Sequence, residues 1–273
     1  MTNGKELIKN KYWIYKMDFK PGVYENIPYE VYAEIPAFRS HDLTAALKCA
    51  YNWKYSKGFA PSPALLEGRV QHTVFLEHHK FDEEFVIQPP IDRRTKVGKA
   101  EYEDFLTTVE GRTPITQDLY DICMERREIV KEYIPKPDHK VECVIMFMHH
   151  GHPFKCRLDW YNNKDVWDLK TARDASPRGF KQAINNFNYH MQAALYVDAC
   201  NAAGLPAGTF NFLAQEKVHP FAYAVYSMSD EALEYARSKN EQALALLLKC
   251  KEDDEYKPYN LDGVQTVELH DLY

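Results

Sequence analysis

The chain has 273 residues and a formal net charge of −6, from 34 lysines and arginines against 40 acidic residues. This balance excludes a protein that is basic throughout, such as a histone-like DNA packer, although a local groove can still be positive. The 14% share of aromatic residues argues against a disordered chain. A chain of this length forms one large domain or two small ones.

Six cysteines are scattered along the chain without a CxxC pair, which argues against a zinc ribbon or a cysteine-ligated iron–sulfur cluster. Reduced thiols are typical of intracellular proteins. No stretch approaches the roughly 20 apolar residues that a membrane span requires, and the N-terminus has no apolar core of signal-peptide length. We therefore expect a soluble, cytoplasmic protein with no membrane partner.

The first half of the sequence predicts an irregular arm followed by helices. Residues 1–39 are rich in tyrosine and proline and lack clear periodicity, so we expect a lead-in arm ahead of one domain over residues 40–273. Helical spacing of apolar residues begins at Ser40, and the Pro61-Ser62-Pro63 segment interrupts it. Further helices are predicted over 64–77, 99–110 and 116–133, with a basic loop over 88–100.

The second half of the sequence predicts a sheet. Strands are predicted over 141–148, 154–161, 166–171, 208–216 and 218–227. Helices are predicted over 187–203 and 229–250, with a polar loop over 171–177. This order is typical of an α/β or α+β fold, with a central mixed sheet of about four to five strands flanked by helices.

The predicted turns bring three carboxylates together. A two-residue turn centred on 163–164 pairs Asp159 with Asp168, and a turn centred on 150–151 pairs Glu142 with Asp159. This register puts the three acids in one row across three adjacent strands, on one face of the sheet.

A lysine belongs to the same face, because Lys170 follows Asp168 by two residues. Directly paired carboxylates repel by roughly 3 kcal/mol at an effective dielectric constant near 20. A bound divalent cation removes this repulsion, and oxygen ligands favour Mg²⁺ or Mn²⁺. The alternative is an outer sheet face on which the acids are simply solvated, and a one-residue slip in register would disperse the row.

The same residues carry a family resemblance. Asp159, eight intervening residues and then Asp168-Leu169-Lys170 resemble the D…(D/E)xK signature of the PD-(D/E)xK nuclease superfamily. The chain is similar to its RecE-type (exonuclease VIII-like) branch, which is related to the RecB and phage λ exonuclease nuclease domains. The segments that carry the resemblance are 68–77, 157–159, 168–171, 189–196 and 215–217. They imply a restriction-endonuclease-like core from about residue 40 to the C-terminus.

The resemblance implies a site for one or two Mg²⁺ or Mn²⁺ ions. Asp159 would be the principal ligand, Asp168 the second carboxylate ligand, and the backbone carbonyl of Leu169 a further oxygen. Lys170 would orient or deprotonate the attacking water and offset charge in the transition state.

Further site residues follow from the same resemblance. His72, in the GRxxH context of the preceding helix, would be an additional metal ligand, and Glu142 resembles the extra acid that some branches use for a second metal. Gln192 and Tyr196 share one helix face and would contact the substrate or the catalytic residues, although ordinary packing is also common at this spacing. Phosphate contacts are expected from Arg69, Arg93, Arg94 and Arg157.

The activity implied by the resemblance is that of an Mg²⁺-dependent exonuclease, which hydrolyses duplex DNA from its ends, 5′→3′, during recombination. A phage origin, a ring-shaped homo-oligomer (trimer or tetramer) and a single-strand annealing partner are also implied. Two alternatives stay open: a nuclease of other polarity or substrate, Cas4-like or RecB-like, and a catalytically silent DNA-binding module. The scattered cysteines argue against the cluster-bearing Cas4 type, and the intact Asp159, Asp168 and Lys170 argue against the silent module.

Overall fold

The computed structural model describes residues 20–57, 62–259, 263–264 and 266–268. The helices are α1 Tyr29–Glu34, α2 Ser40–Tyr55, α3 Pro63–Leu76, α4 Phe81–Glu84, α5 Lys96–Leu106, α6 Gln117–Ile129, α7 Pro177–Phe187, α8 Tyr189–Ala202 and α9 Asp230–Asp253. The strands are β1 Gly22–Tyr24, β2 Phe85–Ile87, β3 Thr113–Ile115, β4 Lys140–Val141, β5 Val144–His149, β6 His152–Arg157, β7 Trp160–Tyr161, β8 Val166–Ala172, β9 Phe210–Glu216 and β10 Tyr223–Ser227. Most of the predicted arm, residues 1–19, lies outside the described residues, as does Pro61 of the predicted break.

A five-stranded mixed sheet lies at the centre, in the order β10-β9-β8-β7-β4. β8 and β9 run parallel, and the other neighbouring pairs are antiparallel. β5 and β6 form a second sheet with β1, and β2 pairs with β3. Buried side chains of α8, which packs against α9, cover one face of the central sheet and those of α3 cover the other. The predicted mixed sheet flanked by helices is therefore confirmed.

Alternation along β8 decides which residues face which layer of helices. Val166 and Ala172 are buried with α8 and α9, whereas Leu169 is buried with Phe75 of α3. Asp168 has the same parity as Val166 and therefore points toward α8. The central strand thus carries its charged residues on one face only.

Strand pairing confirms the predicted register of both hairpins. Trp160 pairs with Trp167 in the second hairpin, and their rings stack at a centroid distance of 5.4 Å. The first hairpin has the register expected for a turn centred on 150–151. Extended by one residue, the pairing of the second hairpin sets Asp159 opposite Asp168.

The prediction of two unbroken strands in this meander is wrong. Residues 141–148 are interrupted at Glu142, whose φ of 49° is left-handed, and residues 154–161 are interrupted beside Asp159. The N–H of Glu142 donates to the carbonyl of Asp159 at 3.0 Å, so the two breaks lie against each other. Interruptions of this kind change the direction of side chains that would otherwise alternate between the two faces of the sheet. The periodicity of the sequence alone does not reveal such interruptions.

The helix predicted over 187–203 is present as α8, Tyr189–Ala202, but the helix before it, α7, was not predicted. Two helices, α7 and α8, meet at Asn188, which has a left-handed φ of 55°. Ser176 caps α7 by accepting the N–H of Gly179, and Pro177 occupies the first helical turn. This Ser-Pro pattern is a helix start signal inside the segment that we predicted to be a loop.

The predicted basic loop over 88–100 is shorter than expected. α5 begins at Lys96, because the side chain of Thr95 caps the helix by accepting the N–H of Gly98 at 2.9 Å. Arg93 and Arg94 remain in the loop that precedes it. No helix in the described part of the chain is long and apolar enough to cross a membrane.

The segment ahead of residue 40 is attached to the meander. β1 pairs with β5, and Tyr32 of α1 is buried. The ammonium of buried Lys155 donates to the carbonyls of Tyr32, Ala33 and Ile35 at 2.7, 3.1 and 2.7 Å. Lys155 thereby satisfies carbonyls at the C-terminal end of α1, where a positive charge is also favourable.

Candidate active site

Three potential metal ligands converge where the two strand breaks face α3. The ligand atoms of His72, Glu142 and Asp159 all lie within 4.8 Å of one another. His72 lies on α3, whereas the two acids lie at the β4–β5 and β6–β7 breaks. One imidazole nitrogen and two carboxylate oxygens at this separation can bind a divalent cation. The structure therefore brings together three of the predicted metal ligands.

The backbone of β8 orients the imidazole. Nε2 of His72 lies 3.1 Å from the carbonyl oxygen of Leu169, a hydrogen bond that places the proton on Nε2. Nδ1 of the same ring faces Asp159, whose Oδ2 lies 3.7 Å away. In metal-binding histidines, the ring nitrogen that does not bind the metal typically donates its N–H to a hydrogen-bond acceptor in this way. The carbonyl of Leu169, a predicted metal ligand, here positions His72.

The carboxyl group of Asp159 is held in place by a hydrogen bond, but its surroundings disfavour the ionised form. Its Oδ2 accepts the N–H of Leu169 at 2.7 Å. Burial, followed by the negative charge of Asp168, raises the pKa of Asp159 to about 7. A divalent cation beside Asp159 would stabilise the carboxylate and reverse this shift.

Glu142 is shared between the ligand cluster and an arginine. Nε of Arg157 donates to Oε2 of Glu142. Burial raises the pKa of Glu142, although the charge of Arg157 opposes the shift. Glu77, which follows α3, adds a nearby negative charge and lies 2.5 Å from Nζ of Lys80. Sequence reasoning missed Glu77 as a site neighbour, although it ends the segment 68–77 that carries the resemblance.

Asp168, Lys170 and Gln192 form a closed triangle beside this cluster. Nζ of Lys170 lies 2.6 Å from Oδ2 of Asp168 and donates to Oε1 of Gln192 at 3.1 Å. Nε2 of Gln192 donates to Oδ1 of Asp168 at 2.7 Å. Asp168 is buried, and each of its carboxylate oxygens contacts Lys170 or Gln192. It is not one of the three converging ligands.

Lys170 remains protonated in this arrangement. Burial acts to lower its pKa, but the negative charges of Asp168 and Asp159 outweigh that effect and raise it. An ammonium donates hydrogen bonds and cannot accept a proton. Of the three roles that the resemblance implies for Lys170, orienting the water and offsetting charge are favoured over deprotonating the water.

α8 supplies the wall of the site opposite α3. Tyr196 lies one helical turn beyond Gln192, and its pKa is raised by burial, with a smaller contribution from Asp168. The ring of Tyr189 lies 4.6 Å from Nζ of Lys170. Sequence reasoning missed Tyr189 as a site residue, and its position three residues before Gln192 was the available signal.

The four arginines predicted to bind phosphate have different surroundings. Arg157 adjoins the ligand cluster through Glu142. Arg69 pairs with Glu84 at 3.9 Å and lies over the ring of Phe85 at 5.4 Å. Its side chain is still 57% exposed, so it can reach solvent on the α3 surface.

The other two predicted phosphate ligands lie in the loop before α5. Arg94 forms two 2.9 Å hydrogen bonds with Asp92, and Arg93 packs on the ring of Tyr102 at 4.2 Å. Within the described residues, neither arginine contacts the carboxylates of the site.

A mixed sheet with acids on adjacent strands, a following lysine and a histidine from the preceding helix defines a PDDEXK-like fold. Residues 38–267 match the family described as a PDDEXK-like domain of unknown function (DUF3799), and the chain belongs to that family. The crystal structure of a candidate exonuclease from Eubacterium rectale has a TM-score of 0.59 at 14% identity, covering 86% of this chain and 92% of that one.

A second solved structure, that of SSO0001, has a TM-score of 0.28 at 16% identity, covering 67% of this chain and 88% of that one. This similarity is too low to support an argument. No curated protein matches the sequence. The predicted PD-(D/E)xK-like core is thus confirmed, while the RecE-type branch stays a prediction.

Proposed function

We propose that this protein is a metal-dependent deoxyribonuclease that hydrolyses phosphodiester bonds. The observation that carries the proposal is the convergence of His72, Glu142 and Asp159 within 4.8 Å, beside the ion pair of Asp168 and Lys170. Metal-assisted phosphate hydrolysis requires a cation site and a fixed positive charge beside it. The family membership and the shared fold agree with this activity.

His72, Glu142 and Asp159 would hold the ion, with Nδ1 of His72 as the nitrogen ligand. The bound ion would polarise the phosphate and lower the pKa of a water molecule. An imidazole among the ligands favours Mn²⁺ over Mg²⁺, because Mg²⁺ prefers an all-oxygen shell. Asp168 would join the ligand set without losing its contacts with Lys170 and Gln192, because each carboxylate oxygen keeps a second lone pair.

The chain's own groups would position the phosphate. Lys170 would donate to the attacking water or to a non-bridging phosphate oxygen, and its charge would offset that of the transition state. Gln192 would hold Lys170 and Asp168 in register, since its amide contacts both. Arg157 would add positive charge on the side of Glu142.

The substrate and setting that we propose follow the sequence resemblance. The substrate would be the end of duplex DNA, degraded 5′→3′ in recombination, by a cytoplasmic enzyme of phage origin. The enzyme would act as a ring-shaped homo-oligomer, a trimer or tetramer, with a single-strand annealing protein as partner. These features rest on the RecE-type resemblance of the sequence alone.

The test is hydrolysis of linear duplex DNA labelled at the 5′ or the 3′ end, with Mg²⁺, with Mn²⁺ and with EDTA. We expect metal-dependent release of the 5′ label first, and at least a hundredfold lower rate in Asp159→Asn and Lys170→Ala. Asp165→Asn, at the far end of the same hairpin, is the matched control. Light scattering on the same samples reports the number of subunits.

Each outcome has a distinct meaning. Degradation in EDTA, or full activity in both site variants, would refute the metal-dependent mechanism. DNA binding without any hydrolysis would favour the silent binding module. Release of the 3′ label first would refute the polarity alone, and a strict monomer would refute the ring.

A further inference from the structure

Phe187, the last residue of α7, is an aromatic side chain at the rim of the site. The apolar stripe of α7 runs through Phe180, Ala183 and Ile184, and Phe187 continues it at the same helical spacing. Phe180 is completely buried, whereas Phe187 is 63% exposed. A single exposed apolar residue is ordinary, so its meaning depends on what lies beside it.

The ring of Phe187 is linked to the lysine of the site through one intermediate. It stacks on Tyr189 at a centroid distance of 5.5 Å and an interplanar angle of 27°. Tyr189 in turn lies 4.6 Å from Nζ of Lys170. The left-handed residue Asn188 turns the chain between the two rings and places both on the same side. An aromatic surface therefore runs from Lys170 to solvent.

The surroundings of Phe187 are polar. The two residues before Phe187, Asn185 and Asn186, are exposed and polar, and Lys181 and Gln182 are exposed about one and a half turns earlier on α7. A surface that docks another protein through apolar contact would extend beyond one ring. A single exposed aromatic ring with polar neighbours, linked through Tyr189 to a lysine, is instead typical of a site that stacks a nucleobase beside a bound phosphate.

We propose that Phe187 stacks on an unpaired nucleobase of the strand whose phosphate reaches Lys170. This inference rests on the proposed nuclease function and specifies its substrate. A base inside a duplex has both faces covered by its neighbours, so only a terminal or unpaired base offers a face to Phe187. The site would therefore favour a strand end or a single-stranded segment over continuous duplex.

The test is binding of the full chain to a single-stranded oligonucleotide that carries one 2-aminopurine, moved position by position, with Ca²⁺ in place of the catalytic ion. We expect fluorescence quenching at one position, preserved in Phe187→Tyr. Phe187→Ala should lose the quenching and bind about fivefold to a hundredfold more weakly. An abasic site at that position should abolish the difference between Phe187→Ala and the unmodified protein.

The matched control is Tyr55→Ala, which removes another exposed aromatic ring, at the end of α2. The ring of Tyr55 packs on those of Tyr51 and Tyr256. Equal thermal melting of the variants excludes a folding defect. Cleavage and quenching that are unchanged in Phe187→Ala would overturn this inference and leave the nuclease proposal intact. Failure of the unmodified protein to bind or cleave any DNA would overturn both.

Discussion

Gln192 donates a 2.7 Å hydrogen bond to Asp168 from α8, the helix that faces the central strand. The other atom of the same amide accepts from Lys170, so one neutral side chain holds both charged groups of the DxK motif. An amide can do this because its nitrogen donates and its oxygen accepts, and both are bonded to the same carbon.

Replacement of Gln192 by alanine should lower kcat for DNA hydrolysis by roughly tenfold to a hundredfold, because small displacements of a reacting group cost rates of this order. KM should change little, since Gln192 positions Lys170 and Asp168 and is not proposed to carry the phosphate. Initial rates over a range of DNA concentrations measure both constants. Gln242→Ala, on the exposed side of α9, is the control, and a change in KM alone would contradict the positioning role.

Replacement of His72 by alanine should weaken Mn²⁺ binding by at least about tenfold, because even indirect supports of a metal site cost this much. Isothermal titration measures the affinity. The rise in melting temperature on addition of Mn²⁺ should shrink in parallel, since a ligand stabilises the state that binds it. His79→Ala, in the exposed turn after α3, serves as control. Unaltered Mn²⁺ affinity in His72→Ala would remove this residue from the ligand set.

The raised pKa of Asp159, about 7, predicts a pH-dependent stability in EDTA. An aspartate in the unfolded chain has a pKa of about 4, so between about pH 4 and 7 the folded state binds more protons than the unfolded one. The free energy of unfolding therefore falls as the pH rises through this window. Thermal melts should show the decline in the unmodified protein and a flatter profile in Asp159→Asn, whose amide does not titrate. Parallel profiles would contradict the shift.

Replacement of Lys155 by methionine should destabilise the fold by about 3 kcal/mol, because three carbonyls of the α1 end lose a charged donor in a buried place. Urea unfolding measures the loss. Lys164→Met, in an exposed hairpin turn, should change stability by less than about 0.5 kcal/mol. If both variants unfold at the same urea concentration, the contacts of Lys155 with α1 do not contribute to stability.

The row of acids could be read from the sequence because it depends on local geometry. Asp159 and Asp168 are only nine positions apart, and the tight turn between them leaves one favourable register. The N-terminal caps of α7 and α5 also depend on local geometry, and their capping residues, Ser176 and Thr95, can be recognised in the sequence. His72 was reached through its motif context, since its spacing alone is that of any helical residue.

Contacts between distant parts of the chain could not be predicted in the same way. Arg157 looked like a phosphate ligand, but the break at Glu142 places a carboxylate against it. Glu77 and Tyr189 belong to segments that carry the family resemblance, but the sequence does not give their contacts beside the site. Each depends on how a helix packs on the sheet, and packing is decided by the whole set of buried side chains.

The composition and charge of the sequence excluded a uniformly basic protein, and the pattern of the chain determined a mixed sheet with acids in register on adjacent strands. Only the tertiary structure decided which of these acids converge as potential metal ligands and which contacts the lysine. It assigned Asp159 and Glu142 to the converging ligands and tied Asp168 to Lys170 through Gln192. Register follows from turns a few residues long, whereas these partnerships follow from the approach of α3 and α8 to opposite faces of one strand.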